Sequence, residues 1–263
     1  MNSEIEYLIN SAVLKIIKNS GSSEKLEKLK SKHDVKIHFI PQKYRILGGI
    51  LQSMNIQFGN FIEVLMSLII ANDGRYQILS EYSGEKSNSF TLSAANDALI
   101  DSYISECQYS NIDIKTEFPL LLQKIVSDTD TNLNSFKHDI DLLFKDKSTN
   151  KIYYLEIKYN DDHDTGKFVD INRKFIKTYA YLSRELKIAQ YDDLVPIIFF
   201  FTNKKLKGNI YIPEPENIKR GETFFNEFLT VKYSDVDSYM SALSESPENI
   251  KFFDDLYKTI MQL

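Results

Sequence analysis

The chain has 263 residues and a mass of 30.6 kDa; 43% of its residues are hydrophobic, 26% are charged, and the formal net charge is −5. That apolar content excludes an intrinsically disordered chain, and at roughly 150 residues per domain the length fits one large domain or two small ones. The single cysteine, Cys107, excludes an intrachain disulfide, and with four scattered histidines it cannot supply a Cys/His zinc site.

Taken in chain order, the opening MNSEIEYLIN carries acids where a secretory signal needs a basic segment. Residues 3–19 and 24–32 have amphipathic helical spacing and are separated by the flexible turn Asn19–Ser23. Val35–Ile40 alternates and stops at Pro41, as a short strand does. Gly59-Asn60 opens a strongly apolar helix over about 60–72, ending at Asn72-Asp73-Gly74. Tyr76–Tyr82 and Phe90–Leu92 read as strands around a polar turn, Ala94–Gln108 as a helix, and 109–134 as mixed. Asp139–Phe144 is a short apolar strand punctuated by acids; after a polar turn, Ile152–Tyr159 is a second, spaced for a hairpin. A long amphipathic helix at about 168–189 precedes the apolar run Val195–Thr202, the composition of a strand buried on both faces. Strand–strand–helix–strand predicts an α/β fold with a mixed central sheet flanked by helices. No apolar run nears the roughly 18 residues of a membrane span, so the expectation is a cytoplasmic protein without a membrane partner.

Charge is unevenly placed. Residues 222–263 hold eight acids against Lys232, Lys251 and Lys258, so residues 1–221 sum to zero. Within them, 15–36 carries seven lysines and Lys204–Lys207 has three in four residues. Such patches can hold phosphates on an acidic molecule, although 15–36 alone has the pattern of a solvated helix face. The acidic segment keeps helical periodicity at Phe224, Phe225 and Phe228 and at Phe252, Phe253, Leu256 and Ile260, so it is expected to pack on the core.

The chemistry-bearing residues are Asp141, Glu156 and Lys158. Alternation puts Glu156 and Lys158 on one face of their strand, with Ile157 pointing the other way, and gives Asp139 and Asp141 a shared face on the strand before. If the two strands pair, their acids converge, and the repulsion is offset most naturally by a divalent cation held by oxygen ligands, a magnesium preference. With a lysine alongside, that set suits phosphodiester hydrolysis. The bare triplet acid–x–Lys is weak, since Asp34–Lys36, Asp113–Lys115 and Glu185–Lys187 repeat it; only Glu156–Lys158 ends an apolar strand and follows an acid on another strand. The competing reading is an exposed hairpin with salt-bridged edges.

Asp141, Glu156 and Lys158, on neighbouring strands and followed by a helix, resemble the PD-(D/E)xK nuclease superfamily and within it the type II restriction endonucleases. The block LEIKYNDDHDTGKFVDINRKF, Leu155–Phe175, is similar to the HinfI group. The resemblance covers about 59–202; Phe136-Lys137-His138 stands where the family has a proline, which leaves Asp139 and Asp141 as alternatives for the family aspartate. Asp141 is favoured by the apolar Leu142-Leu143-Phe144 after it.

The resemblance implies a restriction-endonuclease-like core with extra helical elements, in a single nuclease domain over 1–263. It implies a bacterial, Mg2+-dependent enzyme that cuts double-stranded DNA at a short specific site, leaves 5′-phosphates and acts as a homodimer, with GANTC as the site for the HinfI group. Asp141 and Glu156, with Asp139 as the alternative, would hold the metal, and Lys158 would position or help deprotonate water. Glu63 is either the additional acid that members often carry or part of a solvent stripe with Asn60, Ser67 and Ala71. Lys167, Arg173, Lys177 and Arg184, on or near the helix after the motif, either face a phosphate backbone or form a solvated face; Lys204 and Lys205 are further candidates for DNA. The flanks 1–58 and 203–263 are where base reading and dimer contacts are expected.

Asp161, Asp162, His163 and Asp164 form either a second-metal loop or an exposed turn, and His138 and His163 have no evident partner in the sequence. Thr165-Gly166-Lys167-Phe168 lacks the first glycine of a phosphate loop and has phenylalanine in place of the metal-binding hydroxyl, so no nucleotide cofactor is expected. The rival functions are a structure-selective repair or junction nuclease, a magnesium-dependent RNA nuclease, and a DNA-binding protein without catalysis.

Overall fold

A computed structural model describes residues 3–34, 37–84, 88–214 and 216–262. Backbone contacts divide the chain into two compact units, one of Met1–Ile69 with Val231–Leu263 and one of Ile70–Thr230. Position 59 falls in the first unit and position 202 in the second. The chain begins with helices α1 (Ser3–Ser20), α2 (Ser23–Asp34) and α3 (Gln42–Asn72). Strands β1 (Tyr76–Ile78) and β2 (Ser89–Ser93), helices α4 (Ala94–Tyr109) and α5 (Ile114–Val126), and strand β3 (Leu133–Lys137) follow. Next come β4 (Leu142–Asp146), β5 (Ile152–Lys158), α6 (Thr165–Glu185), β6 (Leu194–Phe200), β7 (Ile218–Arg220) and α7 (Gly221–Phe228), before α8 (Tyr233–Ser244) and α9 (Pro247–Met261).

In the first unit, Leu26 of α2, Ile46, Ile50 and Met54 of α3, and Leu256 and Ile260 of α9 form one buried cluster. α3 does not open at Gly59-Asn60: it runs unbroken from Gln42 through three glycines. A Cβ at Gly49 would lie 3.1 Å from Leu29 Cδ2, so the missing side chain there admits α2 and offsets glycine's helix cost of roughly 1 kcal/mol. By length and composition α3 alone among the described residues suffices to cross a membrane, yet Ile46, Ile50 and Met54 are core. The strand expected at Val35–Ile40 is absent over the part described, Ile37–Ile40, where Ile37 and Phe39 are exposed; Val35 and Lys36 lie outside the described residues. Alternation without a neighbouring edge to pair with makes no ladder.

The second unit is built on a mixed five-stranded sheet in the order β1-β4-β5-β6-β7. β4 and β5 form the expected antiparallel hairpin, and β6 and β7 add parallel to β5, with α6 as the crossover between β5 and β6. One face carries Leu143, Tyr154 and Ile198 into a core with Phe175, Ile176 and Tyr179 of α6 and with α4 and α5. The other face is aromatic, with Phe144 on Tyr153 at 5.2 Å between ring centres and Phe199 on Phe224 of α7 at 4.6 Å. β6 is buried almost throughout, as its composition predicted. The strand expected over Tyr76–Tyr82 is only three residues long, and β4 starts at Leu142 rather than Asp139. β3 lacks apolar alternation and was not expected; it pairs with β2 in a separate two-stranded sheet.

Candidate active site

Register pairs Leu142 with Leu155, so Asp141, one residue before β4, stands beside Glu156 of β5. The pleat of β5 directs Tyr154, Glu156 and Lys158 to the α6 side, where the Tyr154 ring stacks on Phe175 at 5.1 Å. Lys158 Nζ lies 2.7 Å from Glu156 Oε1, 3.2 Å from Asp141 Oδ2 and 2.9 Å from the Ile157 carbonyl oxygen. Asp141 Oδ2 also accepts from the Ile157 backbone N–H at 2.7 Å, which locks the acid to the neighbouring strand. Tyr154 Oη donates to the other Glu156 oxygen at 3.0 Å, and His138 Nε2 lies 3.7 Å from Oε1. His138 is itself oriented by Thr178 of α6, 2.9 Å from Nδ1.

Glu156 is 3% exposed. Burial alone would push its carboxyl up, but Lys158, His138 and the Tyr154 hydroxyl outweigh that and hold it below the ordinary range. Lys158 is raised: burial opposes its charge, and the two carboxylates more than compensate. Burial lowers the His138 pKa against the pull of Glu156, with Lys158 adding to the fall.

Three oxygens converging on one cationic nitrogen test the fit of the expected metal. The donors are hard oxygens, two of them charged, in a group that gives magnesium one or two carboxylates and leaves other positions to water. The donor set fits. Among the described residues no three His, Cys, Asp or Glu side chains gather at one point. Asp139, the alternative ligand, accepts from the Asn88 backbone N–H through Oδ1 at 3.4 Å and lies in the irregular approach to β4. Glu63 sits half-buried on α3 in the first unit.

A family model described as "Type II restriction endonuclease, HinfI" matches residues 1–244. The chain is 64% identical over 264 residues, covering 100% of both proteins, to a protein of Haemophilus influenzae named "Type II restriction enzyme HinfI". This chain belongs to the HinfI family of type II restriction endonucleases. No solved structure matches it.

For this HinfI-family chain, part of the basic face read from helical spacing meets acidic side chains. Arg173 Nε lies 3.0 Å from Asp101, and Lys177 Nζ lies 2.5 Å from Asp97 and 3.2 Å from Asp101. These cations face α4, because a basic stripe on α6 meets an acidic one there. Lys167, Arg184, Lys204 and Lys205 are exposed, with Lys205 paired to Glu214. The acidic loop is neither a metal cluster nor a bare turn: Asp164 caps α6 by accepting from Lys167 N at 2.9 Å, and Asp161 is buried. Tyr154 and Thr178 were missed, since a buried tyrosine and a helical threonine look like core until the strand register is known. His138 had no partner in the sequence because Glu156 reaches it only through the hairpin.

Proposed function

We propose that this HinfI-family endonuclease hydrolyses phosphodiester bonds of double-stranded DNA at GANTC with Mg2+, leaving 5′-phosphates, as a homodimer in the bacterial cytoplasm. The observation that carries the reading is the convergence of Asp141, Glu156 and Lys158 from two adjacent strands in a chain of this family.

Asp141, Glu156 and the Ile157 carbonyl would hold the metal, which when bound supplies charge neutralisation at the phosphate and a more acidic water. Tyr154 and His138 keep Glu156 oriented and ionised. Lys158 holds a phosphate oxygen or the attacking water, whose oxygen bonds to phosphorus as the P–O3′ bond breaks. The leaving 3′-oxygen takes up a proton, and the phosphate stays on the 5′ side. Glu63 is kept as an additional acid, Asp139 as the alternative ligand, and Lys167, Arg184, Lys204 and Lys205 as contacts to the DNA backbone, with Arg173 and Lys177 available to it only on leaving Asp97 and Asp101. Two copies related by a dyad place two such centres on a palindromic site.

The test is plasmid DNA incubated with and without magnesium, followed by end-sequencing of the fragments. Discrete bands with 5′-phosphate ends at GANTC, abolished by EDTA, are expected. Smears, cutting only at branches, or activity on RNA alone would sink the assignment. Glu63→Gln should lower cutting at limiting magnesium; an unchanged magnesium dependence would remove Glu63 from the site.

A further inference from the structure

A second arrangement stands beside Lys158 at the same end of the sheet. Register aligns Lys158, Phe200 and Arg220 in one row across β5, β6 and β7. With strands about 4.8 Å apart, Arg220 lies two strands, about 10 Å, from Lys158 on the same face. Its guanidinium carbon is 4.9 Å from the Phe200 ring centre, and its Nη2 is 3.0 Å from Asp161 Oδ2.

Asp161 is 1% exposed. Its two oxygens accept from Leu206 N, each at 3.1 Å, and Oδ2 also accepts from Lys207 N at 3.1 Å. The lysine-bearing loop is stitched to the end of β5 elsewhere too: Phe201 N donates to Lys158 O at 2.8 Å and Thr202 N to Tyr159 O at 3.0 Å. Lys207 Nζ donates to the His163 carbonyl, and Glu214 joins Arg220 to Lys205. Burial first lowers the His163 pKa, and the charges of Lys167, Lys158 and Lys207 add to the fall against the pull of Asp161. A carboxylate is costly to bury, and this one is compensated wholly by Arg220 and by the backbone of a loop distant in sequence.

We propose that Asp161 is a positioning residue: with Arg220 it fixes the loop Asn203–Gly208 so that Lys204 and Lys207 grip the DNA phosphate backbone next to Lys158. The ligand, duplex DNA, rests on the nuclease reading above. A preset loop spares the ordering cost that a free lysine loop meets on binding, and phosphate contacts set the register of the DNA on the protein without reading bases.

The test uses the full-length protein, with Asp161→Asn as one variant and Lys204→Ala/Lys207→Ala as the other. Duplex binding is measured in magnesium-free buffer across a salt series, and cleavage with magnesium. Asp161→Asn is expected to weaken binding and flatten the log Kd against log salt slope by about 1–2, near one unit per lost phosphate contact. KM should rise about ten-fold while kcat falls less than about three-fold, the signature of lost binding shared by ground and transition states. The double lysine variant should show the same flattening, and adding Asp161→Asn to it should change the slope no further.

An unchanged slope in either variant, or additive losses when they are combined, would overturn the proposal. If Asp161→Asn does not fold, the surface lysine variant alone decides: a wild-type slope there refutes the grip. A wild-type protein that neither binds nor cuts duplex DNA would bring down the nuclease reading, whereas one that cuts beside an Asp161→Asn variant of unaltered slope removes only the role of Asp161.

Discussion

Glu156 keeps its charge in a site almost closed to water because Lys158, His138 and Tyr154 surround it. Removing Lys158 leaves two carboxylates facing each other, and breaking a buried pair in this way costs about 3–5 kcal/mol. Lys158→Ala should therefore stop cutting and also lower the melting temperature, and magnesium should recover more of that loss than it adds to the wild type. Equal magnesium shifts in the two proteins, read by thermal melts, would move the metal elsewhere. Glu156→Gln keeps the volume and should reduce cleavage by about 10³-fold, the scale of one lost electrostatic anchor; wild-type cutting would take Glu156 out of the site. Away from the site, burial alone would raise the Asp146 carboxyl, but Ser148 and Arg75, the latter at 2.7 Å, hold it well below the usual range. The unfolded chain therefore takes up this proton first as pH falls, so the stabilisation is full above about pH 4 and fades below it. Asp146→Asn should melt lower than wild type at pH 7, with the gap narrowing toward pH 3; a gap independent of pH would remove the linkage.

Between α4 and α6, Lys177 pairs with Asp97 and Asp101 while only 13% exposed. Lys177→Ala should lower the melting temperature by about 2–4 °C, the effect of roughly 1 kcal/mol in a chain of this size, and leave DNA affinity unchanged. A binding loss without a change in melting would restore Lys177 to a DNA-facing role. The same contact shows where sequence reading stops. Spacing on one helix identifies a basic stripe, but whether it meets water, phosphate or an acidic neighbour depends on the packing partner. The hairpin was legible because β5 carries its pattern within seven residues and β6 is apolar throughout. β3 was not, since its residues are mostly exposed and only pairing with β2 makes them a strand. Asp141 and Glu156 were legible as a pair, whereas Asp161 looked like surface because its partners, Leu206, Lys207 and Arg220, lie 45 or more positions away.

Across the whole molecule, the expected homodimer has a direct check. Sedimentation should give a mass near twice 30.6 kDa, and specific activity should fall on dilution below the dimer dissociation constant. A monomer that cuts both strands at undiminished specific activity would dismiss it. The first unit is made of residues up to Ile69 and from Val231 onward, with the sheet and the candidate residues Asp141, Glu156 and Lys158 between them in the sequence. During translation, Ile46 and Ile50 therefore wait for Leu256 and Ile260, which emerge roughly 200 residues later, at about 5–20 residues per second. For that interval the ribosome carries a nascent chain whose sheet-bearing unit is already synthesised while its helical unit lacks α8 and α9.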